Sequence, residues 1–285
     1  NGSSLFGKGT HTKIHYKCHF VSICNVFLHL KWPRVINLSD VHSFSRHQFF
    51  QSTFSLISVN GSFYAIHEVD TFKGEAGGVV SRWEIVNGQL ERQEHVNLGK
   101  TFPAHLLIDT DHNLALTANY GSSSVNVIQM SADGMLKEVV QTLGYGEGCR
   151  DASHPHQVIR AGDVVWIVDL GCDAVYNYRI EGNELQYAGK VQVEEGAGPR
   201  HMVVDEDKKL AYLVCELKNF LLVFSYDEAG NLQQLEKVEF AEKEGQYGAE
   251  ILLSEDRKTL YASSRGNGII VIGMKSGSIN ISWML

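Results

Sequence analysis

The sequence predicts an all-β chain folded as a β-propeller, and three observations predict it. From about Phe54 to Ile272 the chain is built of short runs rich in Val, Ile, Leu, Tyr and Phe, bounded by Gly, Asp and Asn. Runs of that kind read as strands. The runs recur as a unit, which is the mark of a repeat architecture. The turns between the later runs of a unit carry Asn87-Gly88, Asp133-Gly134 and Ala229-Gly-Asn231, which are tight-turn signals. A repeated unit of three or four strands is a propeller blade. A β-sandwich, the runner-up, would not keep so regular a long period.

The units justify themselves in order. The first shows only its later parts clearly, Phe63–Val69 and Gly78–Ile85. The second reads His105–Asp109, Leu114–Gly121 and Ser124–Met130, and the third His156–Arg160, Val164–Gly171 and Ala174–Ile180. The fourth is His201–Asp205, Leu210–Leu217 and Phe220–Tyr226, and the fifth Glu250–Ser254, Leu260–Gly266 and Ile269–Ile272. His105, His156, His201 and Glu250 head the first strands, 51, 45 and 49 residues apart. Asn119, Asp169, Cys215 and Ser264 end the second strands, 50, 46 and 49 apart. Within each unit the two positions are separated by 14, 13, 14 and 14 residues. Five units are legible over a propeller domain of residues 51–285, with the pattern fading after about 272.

Residues 1–50 have a different texture. They hold six of the 13 histidines, and no strand or helix period runs through them. His11, His15 and His19 would share one helix face, which is a metal-site pattern, but the local composition favours an atypical, unstructured or non-native leader. The chain opens at Asn1 rather than Met, and reads as a fragment.

Composition excludes several function classes. The net charge of −8 speaks against a nucleic-acid binder, which needs a basic footprint. The longest uncharged apolar stretch, Phe20–Leu30, is too short to span a bilayer, which needs roughly 20 residues. The five cysteines are scattered with no CxxC pair, so free thiols in a reducing, cytoplasmic setting are expected. There is no GxSxG elbow, HExxH or phosphate loop. Gly144-Tyr-Gly-Glu-Gly148 lacks dinucleotide spacing and reads as a loop between blades.

In a propeller the head of the first strand and the end of the second emerge on one face. The repeat therefore gathers His105, His156, His201, Glu250, His67, Glu68, Asn119, Tyr120, Asp169, Arg200, Glu216 and Arg265 around one mouth of the channel. Collecting so many ionisable groups costs desolvation, and function usually explains such a cost. Asp169 is expected to brace a turn. Cys215 has nothing in its strand to make it a nucleophile.

Gly198-Pro-Arg-His201, Val214-Cys-Glu-Leu217, Gly248-Ala-Glu-Ile251 and Ser263-Ser-Arg-Gly266 resemble the seven-bladed propeller lactonase family. His154-Pro-His156, Ala118-Asn-Tyr-Gly121 and Val168-Asp-Leu-Gly171 fit the same pattern, and the resemblance covers roughly residues 52–272. The family includes the bacterial propeller-type 6-phosphogluconolactonases and the fungal carboxy-cis,cis-muconate cyclases. Cys215 stands where the family often has Asn, and five blades are visible where the family has seven. The resemblance implies hydrolysis of a sugar-acid lactone, with His156, Glu216, Arg200 and Arg265 catalytic. It implies His154, His201, Glu250, His105 and Asn119 as substrate-binding. His156 or Glu216 would activate water. The guanidiniums and His201 would meet the oxyanion and an anionic tail. The scheme needs no cofactor and no metal, and its partner is a small anionic lactone. A muconate cyclase, or a propeller used only as an interaction scaffold, are the alternatives. Oligomeric state is left open.

Overall fold

The computed structural model describes residues 53–145, 149, 152–240, 246–265, 268–275 and 278–284. The expected leader over 1–50 lies outside the described residues, as do residues 146–148 of the expected Gly144–Gly148 loop.

Among the described residues, five four-stranded antiparallel sheets follow one another, as the repeat requires. The first is β1 (Thr53–Val59), β2 (Ser62–His67), β5 (Val79–Val86) and β6 (Gln89–Asn97). A small hairpin, β3 (Thr71–Phe72) and β4 (Glu75–Ala76), is inserted after its second strand. The second sheet is β7 (Pro103–Asp109), β8 (Leu114–Asn119), β9 (Ser124–Met130) and β10 (Leu136–Gly144). The third is β11 (Pro155–Ala161), β12 (Val164–Asp169), β13 (Ala174–Glu181) and β14 (Glu184–Gln192). The fourth is β15 (Pro199–Asp205), β16 (Leu210–Cys215), β17 (Phe220–Tyr226) and β18 (Leu232–Glu239). The fifth is β19 (Tyr247–Leu253), β20 (Thr259–Arg265), β21 (Gly268–Lys275) and β22 (Ser278–Met284). The tail beyond Ile272, where the repeat fades in the sequence, thus completes β21 and supplies the fifth sheet's outer strand.

First strands of successive sheets lie against one another, β1 on β7, β7 on β11, β11 on β15 and β15 on β19. That places them innermost, as in a propeller. Among the described residues, four apolar cores fill the spaces between successive blades. Ile66, Val80, Leu106 and Ile128 belong to the first, and Leu116, Val127, Ile167 and Val165 to the second. Trp166, Val168, Leu213 and Phe224 belong to the third, and Val214, Leu221, Ile251 and Leu260 to the fourth. A middle strand packed on both faces reads as a continuous apolar run, which is why β8 and β12 are buried at every position. The outer strands alternate instead, as β6 does.

The turns between third and fourth strands fall where Asn-Gly, Asp-Gly and Ala-Gly-Asn stand. Two of them also latch blades together. Tyr64 Oη donates to the Gly134 carbonyl at 2.7 Å, and Trp166 Nε1 to the Gly230 carbonyl at 2.9 Å. Both glycines have positive φ, +86° and +80°, which only Gly adopts cheaply. At Gly230 a Cβ would also meet Val164 Cγ1 at 2.4 Å.

The expectation of free thiols needs correction. Cys149 and Cys172 form a disulfide, while Cys215 is free and buried. Cys149 precedes β11 and Cys172 follows β12, and these antiparallel strands pair Pro155 with Asp169. The two cysteines therefore meet at one end of the blade despite a separation of 23 residues. The thiol argument for a reducing compartment falls with this. Closing a loop of that size restricts the unfolded chain and is worth about 3 kcal/mol. Cys149→Ser is expected to lower urea stability by about that much. A reductant should produce the same loss in the wild type and none in the variant. No helix among the described residues is long and apolar enough to cross a membrane.

Candidate active site

The first strands carry a repeated irregularity that organises the mouth. In the second blade Pro103 pairs with Asn119 and His105 with Ala118, so Ala104 is the extra residue of a bulge. In the third blade the extra residue is His156, and in the fourth it is Arg200. In the fifth, register shifts between Gly248 and Ile251 in the same way. Bulges re-aim side chains and gather next to active sites. His156 and Arg200 therefore occupy one equivalent position in adjacent blades, and His105, Gln157, His201 and Glu250 another. This corrects the sequence register, which aligned His156 with His105 and His201. The signal was present in the sequence as the single 13-residue interval among three of 14. Gln157, the true counterpart, was missed. It is buried, and its Oε1 accepts the Met202 N–H at 2.6 Å, bracing the next blade.

Two connected groups result. The first is a chain of hydrogen bonds. Glu250 Oε1 lies 2.8 Å from His201 Nδ1, and His201 Nε2 lies 3.1 Å from His156 Nδ1. Burial pushes the Glu250 carboxyl up, but His201, the Ile251 N–H and Arg200 together outweigh it and hold the group at about 2. An ionised Glu250 can only accept, so in the neutral tautomer His201 carries its proton on Nδ1 and leaves Nε2 as acceptor. His156 must then donate from Nδ1, and its Nε2 is left with a free lone pair. Burial, reinforced by Arg200 and His201, holds His156 well below the usual imidazole range. It is neutral at ordinary pH.

The second group is a clamp. Arg200 Nε lies 2.9 Å from Glu216 Oε2, and Arg265 Nη2 is in contact with Glu216 Oε1. Arg200 Nη1 donates to the Ala249 carbonyl at 2.7 Å. Arg265 also lies over the Tyr247 ring, 5.7 Å from its centroid. Each Glu216 oxygen faces a guanidinium, so Glu216 is placed to hold two arginines rather than to take a proton from water.

His105 stands beside His201, ring centroids 5.8 Å apart and edge to face. Its buried Nδ1 has no hydrogen-bond partner, and burial lowers its pKa to about 3. His154 stacks on Tyr120 at 4.3 Å and its Nδ1 reaches the Tyr120 carbonyl at 2.9 Å. Tyr120 in turn meets His156 edge to face at 5.7 Å. Asn119 corrects the sequence reading. It is fully buried, with its amide bonded to Thr117, Ser124 and Asn126, so it braces its blade and is not exposed to a substrate. His67 likewise turns inward, its Nε2 2.8 Å from Ser81 Oγ. Asp169 braces the turn after β12, as expected, accepting from Ser153, His154, Gly171 and Cys172. Burial raises the Cys215 thiol far above its ordinary value, which leaves it inert. Among the described residues no group of three or more His, Cys, Asp or Glu is placed to hold a metal.

Comparison with known proteins identifies the family and the fold. The family described as Lactonase, 7-bladed beta-propeller, matches residues 46–278. A 6-phosphogluconolactonase of Bacillus subtilis is 26% identical over 226 residues, covering 76% of this chain and 65% of that protein. One of Formosa agariphila is 27% identical over 231 residues, with 75% and 65% covered. The chain thus spans just under two thirds of these relatives. Among solved structures, a periplasmic gluconolactonase of Pseudomonas aeruginosa superposes with a TM-score of 0.72 at 25% identity, covering 79% of this chain and 70% of that one. A Lactobacillus plantarum protein gives 0.72 at 29% identity, covering 81% and 70%. The strand repeat, the blade order and a family match over most of the length lead to one conclusion: the chain belongs to the seven-bladed β-propeller lactonase family, of which its described residues form five blades.

Proposed function

We propose that the protein hydrolyses a sugar-acid lactone, 6-phosphogluconolactone to 6-phosphogluconate, at this mouth. The observation that carries the reading is the Glu250–His201–His156 chain beside the Arg200–Glu216–Arg265 clamp. Hydrolysis needs a base for water, and neutral His156 offers Nε2. As the imidazolium forms, His201 and the Glu250 carboxylate stabilise it. This leaves Glu216, the other candidate base, to its arginines. The tetrahedral oxyanion and the anionic tail of the substrate need donors, and a planar guanidinium suits both a phosphate and a carboxylate. Two arginines against one Glu216 leave the clamp net positive, which offsets the overall charge of −8 for an anionic ligand. The names of the relatives support the same substrate class. A cytoplasmic location, where such a substrate would be met, is part of this proposal.

The test is hydrolysis of 6-phosphoglucono-δ-lactone followed by NMR above its spontaneous rate, with a melt to establish folding. Acceleration by wild type, lost in His156→Gln, is the expected result. A cooperatively folded wild type that leaves the spontaneous rate unchanged overturns the reading. Turnover of a muconate without acid release would instead mark a cyclase.

A further inference from the structure

One mouth carboxyl has no place in the groups above. In each of the first four blades one residue follows the last pair of the first two strands. Those pairs are Thr53 with His67, Pro103 with Asn119, Pro155 with Asp169, and Pro199 with Cys215. The residues that follow are Glu68, Tyr120, Leu170 and Glu216; in the fifth blade the equivalent residue is Arg265, next after the Gly248–Ser264 pair and itself paired with Tyr247. Glu68 is thus the first blade's counterpart of two members of the clamp. Unlike Glu216 and Glu250, it makes no hydrogen bond or ion pair among the described residues, although it is half-buried. An unpaired, partly desolvated carboxyl is costly unless it carries a proton.

We propose that Glu68 is the general acid of the reaction, donating its proton to the ring oxygen that leaves when the lactone opens. The inference rests on the lactonase reading. His156 takes one proton from water as its oxygen bonds to the carbonyl carbon. The carbon–ring-oxygen bond then breaks, and the ring oxygen takes the Glu68 proton and becomes a hydroxyl. The new carboxylic acid loses its proton to solvent, and the proton on His156 passes through solvent back to Glu68. The sum is lactone and water to hydroxy-carboxylate and one proton. Burial raises the Glu68 carboxyl to about 7 while Arg200 pulls the other way. Arg200 is the charged group acting on it. Next to it in the chain, burial keeps His67 neutral, at about 4. Glu68 is therefore protonated below about pH 7 and loses its proton above it, opposite in need to the base His156.

The experiment compares full-length wild type, Glu68→Gln and Glu68→Asp across pH on two substrates. One is 6-phosphoglucono-δ-lactone, whose leaving alkoxide needs a proton. The other is dihydrocoumarin, whose phenoxide leaves without one. Glu68→Gln is expected to lose about 100-fold in kcat/KM on the sugar lactone and to lose the fall in rate above about pH 7. It should stay near wild type on dihydrocoumarin. Glu68→Asp keeps an acid and should keep the alkaline fall. Equal losses on both substrates, or an unchanged pH profile in Glu68→Gln, overturn the role of Glu68 alone. A folded wild type inert on both lactones overturns the lactonase reading and this role with it. Should Glu68→Gln not fold, an alkaline fall missing from wild type or from Glu68→Asp overturns the role.

Discussion

Arg200→Ala is expected to lower kcat/KM for a phosphorylated lactone by about 10²–10³-fold, the usual cost of removing one donor to a developing oxyanion. Arg200 is nearly buried, at 8% exposure, and is held on two sides, by Glu216 and by the Ala249 carbonyl. Its guanidinium is thus fixed before substrate arrives, which is what makes such a donor effective. Steady-state kinetics divides the loss. A rise confined to KM assigns Arg200 to the anionic tail, and a joint fall in kcat assigns it to the oxyanion. Arg200→Lys should recover little, because an ammonium cannot span Glu216 and Ala249 as the planar fork does. Arg265 still faces Glu216 in the variant, so the carboxylate is not stranded and the fold should survive. Unchanged kinetics in a folded variant would remove Arg200 from the site.

Trp166→Ala is expected to cost about 3–5 kcal/mol of stability, the range for emptying a large aromatic site. The ring is fully buried between the third and fourth blades and meets Tyr226 edge to face at 5.1 Å. Its Nε1–H is also a partner of the Gly230 carbonyl, so removal leaves that acceptor unmet. Trp166→Phe separates the two effects. It keeps most of the ring and loses the hydrogen bond, for about 1–3 kcal/mol. Urea melts of the three proteins should rank in that order. A Trp166→Ala protein within 1 kcal/mol of wild type, a bound well below the expected loss, would mean that the latch does not join the blades.

Much of this was legible in the sequence because a repeat reports its own registration. Val164–Asp169 and Leu210–Cys215 announce middle strands by unbroken apolar runs, and Gly134 and Gly230 announce turns. Arg200, Glu216, Arg265, His156, His201 and Glu250 could be gathered at one mouth from position alone. What position could not convey was direction. Asn119 and His67 sit at ring positions yet face into their blades, because a strand's end residue can turn either way. The third blade joins its first two strands through Gly162 and Asp163 alone, where the second and fourth use four residues, so its count differs and only the odd interval hinted at it. The Cys149–Cys172 bond was hidden because antiparallel pairing, not sequence distance, brings those residues together. Beyond Ile272 the strands β21 and β22 lose the repeat's spelling while keeping its pairing.

The bulge has a consequence for how this protein tolerates change. A residue in a bulge has no opposite number in the ladder, so His156 and Arg200 contribute little to pairing their strands. Two positions further along each strand stand Val158 and Met202, at the centre of interblade cores. On the proposed function, chemistry and architecture thus share one strand two residues apart. Selection for abundance alone would hold positions 156 and 200 less tightly than 158 and 202. Selection for turnover would fix all four. A lineage could therefore exchange its reaction at the bulges while the blades beneath stayed as they are.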